Sequence, residues 1–291
     1  MRGRLFCFGF GYSAQRVATL LLERGWTVAG TSRAPDPASS WAKRGVTLHR
    51  FDREHPLAAP AQALAGVTHV LVSVPPDDHG DPVVDRHAAD LARLPGLAWI
   101  GYLSTTGVYG DQGGELVDEA TPVAPVNPRG ERRVTAEAAW LDAGRIHGLP
   151  SQVFRLAGIY GPGRSALERL RTGTARRVDR PGQAFSRIHV DDIARALIAS
   201  MERPEPGSFY NLCDDEPAPQ ARVIEYAADL LGMSPPPLES FETAQLTPMA
   251  REFYLGGSRR VSNAKLKQSL GIDLRYPTYR EGLRACLEAS P

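Results

Sequence analysis

The 291-residue chain suits one large domain or a two-part fold, since a single core stops growing near ~250–300 residues. Its 34 Lys+Arg against 33 Asp+Glu leave a formal charge of +1, so no global field draws it to nucleic acid or to an anionic membrane. Among the longest uncharged stretches is 57–76, but Pro60, Gln62, Gly66, His69 and Ser73 interrupt it with groups that hydrocarbon cannot satisfy, and no membrane span is expected.

The amino terminus, Met1-Arg2-Gly3-Arg4, is charged, yet the apolar run after it stops at a glycine loop and has no small-residue cleavage site, so a cytoplasmic protein is expected. Cys7, Cys213 and Cys286 are odd in number and far apart, which indicates neither a disulfide framework nor a metal cluster; no metal is expected. Basic residues are unevenly split, 31 Arg against Lys43, Lys265 and Lys267, so residues 44–264 hold no primary amine.

Leu5-Phe6-Cys7-Phe8 predicts a strand that enters Gly9-Phe10-Gly11-Tyr12-Ser13-Ala14, after which Ala14, Val17, Ala18 and Leu21 recur at helical spacing. Further strands are predicted at 26–31, 46–51, 67–74 and 98–104, with helical segments between several of them. Short apolar strands alternating with helices predict right-handed βαβ units and a Rossmann-like α/β fold, a doubly wound parallel sheet. Beyond residue 110, the Pro-rich stretch 121–128 reads as a surface loop, and Val134, Ala138 and Leu141 mark the helix after it. A strand at 152–156 follows, then an acidic helix start at Asp191-Asp192 ahead of Ile193, Ala196, Leu197 and Ser200, and a strand at 209–212. The remainder is predicted to be mainly helical. Val223, Ala227 and Leu230 form one stripe, and Thr278-Tyr279-Arg280-Glu281 reads as a capping box before Leu283, Cys286 and Leu287.

Residues 9–14 have the G-x-G-x-x-A form of a dinucleotide fingerprint, in which side chains at the first two glycines would block the turn or the pyrophosphate. Gly9, Phe10, Gly11, Tyr12 and Ser13 are therefore candidate cofactor contacts, with backbone N–H groups and a helix dipole facing the phosphates. An acidic residue about 20 positions on would favour NAD, and none is present. Thr31-Ser32-Arg33 instead offers two hydroxyls and a guanidinium to a ribose 2′-phosphate, which favours NADP, with NAD the alternative. Asp36 lies too far along for the ribose. Asp52 has two readings, an acceptor for the adenine amino group or a turn-forming Asp. Ser73, Val74 and Pro75 close strand four, where such sheets place ligands.

Tyr102-Leu103-Ser104-Thr105-Thr106-Gly107-Val108-Tyr109-Gly110 resembles the strand-five signature of the extended short-chain dehydrogenase/reductases, the NAD-dependent epimerase/dehydratase group. Asp118-Glu119-Ala120-Thr121-Pro122, the segment from Arg155 to Gly163, Ile188-His189-Val190-Asp191-Asp192 and Asn263-Ala264-Lys265-Leu266 are similar to further motifs of that family, in the right order. The resemblance implies a catalytic hydroxyl at Thr105, with Ser104 beside it near the cofactor. It also implies a Tyr-x-x-x-Lys pair on the next helix, and here the sequence departs: the expected Tyr is Arg129 and the expected Lys is Arg133. A guanidinium stays protonated and cannot act as the base. The chain is thus similar to the atypical subgroup, with incomplete active-site residues, although Arg133 could still bond the nicotinamide ribose.

Thr106, Arg129, Tyr160 and Arg164 are the candidate substrate contacts, the arginines as an anion site for a phosphorylated or nucleotide-linked substrate or as ordinary surface charge. Tyr109 and Tyr160 could replace the missing phenol, with packing the simpler role for each; Glu131 and His147 read as solvated surface residues, and His189 as a hydrogen-bonding histidine at a helix start. The expected organisation is an NAD(P)-binding domain over 1–157, to which the chain returns at about 186–213, and a smaller substrate-binding lobe from 158–185 and 214–291. The expected activity is an NAD(P)-dependent oxidoreductase or epimerase/dehydratase acting on a sugar-type or small carbonyl substrate; the alternative is a non-catalytic NADP(H) sensor or scaffold. Homodimers formed through helices are common in the family, but no pattern in this sequence specifies one.

Overall fold

The computed structural model describes residues 3–289, apart from the side chains of Met249 and Phe253. Met1 and Arg2, from the charged amino terminus, lie outside that range.

Strand β1 (Arg4–Phe8) leads into helix α1 (Tyr12–Glu23), which turns the expected stripe Ala14, Val17, Ala18 and Leu21 inward. Next come β2 (Thr27–Ser32), the short α2 (Ser40–Lys43), β3 (Thr47–Arg50), α3 (Pro60–Ala63) and β4 (His69–Val72). Helix α4 (Pro82–Ala92) has proline at its first position behind Asp81, whose Oδ1 accepts the N–H groups of Val83 and Val84 at 2.8 and 3.2 Å. Strand β5 (Trp99–Thr105) ends in a 3₁₀ turn, Thr106–Tyr109, before β6 (Leu116–Val117) and α5 (Pro128–His147). The chain continues through β7 (Ser151–Leu156), β8 (Gly158–Tyr160), α6 (Ala166–Arg171), β9 (Arg177–Asp179), β10 (Arg187–His189), α7 (Val190–Glu202) and β11 (Phe209–Leu212). It closes with α8 (Gln220–Leu230), β12 (Leu238–Ser240), α9 (Pro248–Leu255), β13 (Arg260–Val261), α10 (Ala264–Leu270) and α11 (Tyr279–Glu288).

Two compact units result. The first comprises Met1–Ser104, Arg132–Arg155 and Ala194–Tyr210; the second comprises Thr105–Glu131, Leu156–Ile193 and Asn211–Pro291. Residues 105–131 therefore group with the second unit, and the return passage is shorter than the stretch 186–213 read from the sequence.

A seven-stranded parallel sheet, in the order β11-β7-β5-β4-β1-β2-β3, forms the frame of the first unit. The order reverses between β1 and β4, and in such sheets ligands sit outside the carboxyl ends of the strands at that crevice. One sheet face, with Phe6, Phe8, Val70, Val72, Ile100, Tyr102 and Val153, packs against Leu91 of α4 and Ala136, Trp140 and Ala143 of α5. On the other face Trp99 donates from Nε1 to Ser200 Oγ of α7 at 2.9 Å, and Ser200 donates to Gln152 Oε1 at 2.8 Å.

The stripe expected on α5 is not the buried one. Ala138 is exposed and Val134 and Leu141 are half-buried, whereas Ala136, Glu137, Trp140 and Ala143 face the core. An acid on the inner face displaced the apparent periodicity. In the second unit α6, α8 and α11 share a core of Leu167, Leu170, Val223, Ile224, Ala227, Leu283 and Cys286. Between its helices run three two-stranded parallel sheets, β8 with β10, β9 with β12 and β6 with β13, too short for periodicity to announce.

Candidate functional site

The glycine loop is held from both flanking strands of the first unit. Gly9 sits at φ +86°, and a Cβ there would meet Ser73 Oγ at 2.7 Å, so only glycine fits. Its N–H donates to Thr31 Oγ1 at 2.9 Å, Phe10 N–H donates to Thr31 O at 2.8 Å, and Ser73 Oγ donates to Gly9 O at 2.7 Å. Phe10 packs its edge on Trp41 at 5.0 Å and receives Gln15 Nε2 on its carbonyl at 3.1 Å.

Gly11 is different. Its φ is −91° and a Cβ would meet nothing within 4 Å, so neither backbone strain nor the protein's own packing calls for glycine. The open volume lies at the start of α1, which has no side-chain cap and no acidic residue in its first turn. A diphosphate approaching main-chain N–H groups needs that combination, and Tyr12 and Ser13 are the first residues of the helix concerned.

The neighbouring candidates divide into loop supports and exposed groups. Thr31 is 1% exposed with its hydroxyl turned to Gly9, so it supports the loop and lies too deep for the 2′-phosphate clamp expected of it. Ser32 is half-buried and accepts Ala34 N–H at 3.2 Å, while Arg33 is exposed; the polar end of β2 is thus these two residues. Asp36 organises a turn through Ala38 N–H at 2.8 Å. Asp52 does the same: its Oδ1 accepts Glu54 and His55 N–H at 3.1 and 2.9 Å and lies 2.7 Å from His55 Nδ1, contacts that hold the carboxyl below the usual range, with the His55 ring foremost. Asp52, Glu54 and His55 bring ligand atoms within 4.8 Å of one another, but this exposed group is a hydrogen-bonded turn. Ser73 is occupied by the glycine loop, Val74 packs on the core and Pro75 is exposed.

At the end of β5, Ser104 is 5% exposed and donates to Glu137 Oε1 at 2.5 Å. Glu137 in turn receives Arg155 Nη2 on Oε2 at 2.8 Å and Nε on Oε1 at 3.2 Å, a fork-shaped ion pair with both residues at most 5% exposed. Ser104 is thereby turned inward. Arg133 donates from Nη1 to Leu103 O and, at 3.3 Å, to Tyr102 Oη, with its guanidinium over the Tyr102 ring.

In the second unit, Thr105 Oγ1 accepts Gly107 N–H at 3.1 Å and caps the 3₁₀ turn; the hydroxyl keeps its own proton for donation. Thr106 is buried at 5% exposure, and Arg129 is exposed at the start of α5. Arg259, which sequence reasoning passed over, comes into the same neighbourhood: its Nη1 lies 3.9 Å from where a Gly107 Cβ would be. Burial pulls its guanidinium below the usual range, Asp111 opposes, and Arg129 adds to the drop. Only the Arg-Arg doublet at 259–260 hinted at it.

The tyrosines considered as replacement acids are packed. Tyr109 is fully buried, its hydroxyl donating to Asn211 Oδ1 at 2.8 Å. Tyr160 packs on α11, where a Cβ on Gly282 would come within 2.0 Å of its hydroxyl, and burial foremost, with nearby Asp214, pushes the phenol well above its ordinary range. Tyr160 and Arg164 both line a cavity of about 440 Å³ within this unit; Thr106 and Arg129 do not. Glu131 and His147 are exposed. His189 is 1% exposed and accepts Asp191 N–H on Nδ1 at 3.2 Å, as expected of a histidine at a helix start.

The sequence pattern of the NAD dependent epimerase/dehydratase family matches residues 9–213, most of the chain. The chain belongs to that family. The family binds a nicotinamide dinucleotide, and membership makes the chain an enzyme of oxidoreductase or epimerase type. The chain is 29% identical over 280 residues to a 3-diazoavenalumate denitrifying reductase from Streptomyces sp, covering 88% of this chain and 89% of the relative. A functionally unknown conserved protein from Silicibacter pomeroyi DSS superimposes with a TM-score of 0.88 at 48% identity over 98% of each chain. A dTDP-glucose 4,6-dehydratase from Bacillus anthracis str. Ames, solved in complex with NAD, has a TM-score of 0.76 at 18% identity over 99% of this chain and 96% of that one, a likeness of fold. No helix among the described residues is long and apolar enough to cross a membrane.

Proposed function

We propose that the protein binds NADP(H) and acts as a reductase of a small carbonyl-type or sugar-type substrate. The observation that carries the cofactor is Gly11, a glycine with open space above it and no conformational reason to be one. Ser32 and Arg33 at the exposed end of β2 favour the 2′-phosphorylated form. The bound dinucleotide would supply the hydride. Thr105 would donate its proton in a hydrogen bond to the substrate oxygen, and Arg129 of the same unit would stabilise negative charge developing there.

Reduction is favoured over epimerisation by what the family helix lacks. Epimerisation through a keto intermediate requires a base to take a proton from an alcohol, and neither Arg129 nor Arg133 can be one. Reduction requires only a proton donor, which solvent can be. The curated relative, by its name a reductase, agrees with this direction.

Calorimetric titration of the purified protein with NADPH and NADH tests the cofactor. Gly11→Asp is expected to abolish binding of both, and Arg33→Ala to weaken NADPH about 10–100-fold while leaving NADH unchanged, as the loss of one charge-assisted contact predicts. Unaltered NADPH binding by Gly11→Asp would overturn the reading. NADPH oxidation across a panel of aldehydes, ketones and keto-sugars then separates a reductase, which turns over and loses activity in Thr105→Val, from a sensor, which binds and stays silent.

A further inference from the structure

A separate cavity, of about 590 Å³, lies wholly within the first unit, on the sheet face at its β3 border. Both faces of a parallel sheet are normally covered by helices, but α3 here is a single turn, Pro60–Ala63, and does not roof the strands beside it. Thr47 of β3 is therefore exposed and His49 only half-buried, whereas the middle of the adjacent β2 is buried. No residue of the glycine loop, of Thr31-Ser32-Arg33 or of Ser73-Val74-Pro75 lines this cavity, so a dinucleotide does not account for it.

Its lining is unbalanced in charge. Arg4, His49, Arg50 and His55 contribute to the wall and no Asp or Glu does, while Leu57 and Ala63 supply a buried apolar floor. Arg4 is half-buried; Nη2 donates to Ala63 O at 3.3 Å, and no carboxylate lies at ion-pair distance from the guanidinium among the described residues. One neutral acceptor orients this fork and leaves most of its five donors open. His49 stacks its ring on Phe6, with centroids 6.0 Å apart. Burial foremost, and then Arg4, hold that ring below its usual range, so at neutral pH it offers a ring N–H rather than a charge. His55 Nδ1 is engaged by Asp52 Oδ1 at 2.7 Å, which leaves Nε2 without a protein partner among the described residues. A concave wall of guanidinium and imidazole donors, with an apolar floor and no acid, is complementary to an oxyanion carried on an apolar body. Two arginines with two imidazoles suit the two charges and three oxygens of a phosphate monoester better than the single charge of a carboxylate.

We propose that this cavity binds a small phosphate monoester on a flat apolar body, with Arg4 as the anchor of the phosphate and His49 as a second donor. The apolar body lies over Leu57 and Ala63.

Calorimetry on the full chain saturated with NADPH, with phenyl phosphate as the probe, tests the site while the dinucleotide keeps the probe out of the glycine loop. A chain that failed to bind NADPH would be titrated without it, so the two readings fail separately. Phenyl phosphate is expected to bind with one-to-one stoichiometry, about ten-fold or more tighter than benzoate, which has one charge, and than inorganic phosphate, which lacks the apolar body. Arg4→Gln, and His49→Phe, which keeps the stack on Phe6 and loses the ring donors, are each expected to weaken binding about ten-fold with the thermal midpoint unchanged. Thr47→Trp, which places a large ring at the exposed rim, is expected to abolish binding. Absence of saturable binding at millimolar phenyl phosphate, or equal affinity in the parent, Arg4→Gln and His49→Phe, would overturn the proposal. So would binding that Arg164→Gln weakens and Arg4→Gln does not, which would put the probe in the cavity of the second unit.

Discussion

Asp214 is 1% exposed, and neither carboxyl oxygen has a hydrogen-bond partner among the described residues. Burial is the chief cause of its rise to about 8, with Arg187 opposing. A carboxyl raised in the folded state stabilises the protein fully below the unfolded value of about 4, and that contribution is lost as pH climbs through the folded value. Asp214→Asn removes the ionisation, so the variant is expected to exceed the parent by about 2 kcal/mol or more at pH 9, with the margin closing as pH falls to about 4, measured by urea unfolding at both pH values. Glu137 has the opposite character. Glu137→Gln removes the carboxylate charge from a buried ion pair with Arg155 and is expected to cost about 3–5 kcal/mol in the same measurement. The sequence concealed this pair because an acid on a helix reads as surface, and only the fold brings Arg155 of β7 across to it. Thr31 was concealed in another way: a hydroxyl at the end of a strand suits a ligand or a loop equally well, and the distance to Gly9 N decides for the loop.

Among elements, the long ones were legible, α5 excepted in the face it buries, and the shortest were not. Strand β1, helix α1 and the acidic start of α7 carry period, glycine and charge signals that local physics fixes without help from the rest of the chain. The capping box of α11 is of this kind: Thr278 Oγ1 accepts Arg280 N–H at 3.1 Å and Glu281 Oε2 accepts Thr278 N–H at 3.0 Å. Thr278→Ala is expected to lower stability by about 1 kcal/mol in urea unfolding, whereas Arg284→Ala, exposed on the same helix, is expected to stay within about 0.5 kcal/mol of the parent. Strands β6 and β13, two residues each, exist because Arg260 and Val261 lie beside Leu116 and Val117, more than a hundred positions apart, and no local pattern encodes that meeting.

For the whole molecule, the glycine loop and the family motifs in order were enough to read the parallel sheet and the family, whereas the division into units was not, because the chain enters each of them three times. Residues 1–157 alone lack β11 and the α7 segment that belong to the first unit. That fragment is expected to be rapidly cleaved by trypsin and to bind a hydrophobic dye, under conditions in which the full chain resists both; a protease-resistant, cooperatively melting fragment would show the first unit to be self-sufficient. The order of strands also has a consequence for biosynthesis. β7, buried along its whole length, is flanked in the finished sheet by β11, which is translated some fifty residues later. At ~5–20 residues per second the nascent chain presents an unpaired, apolar border for several seconds, the interval in which a ribosome-associated chaperone would be most needed.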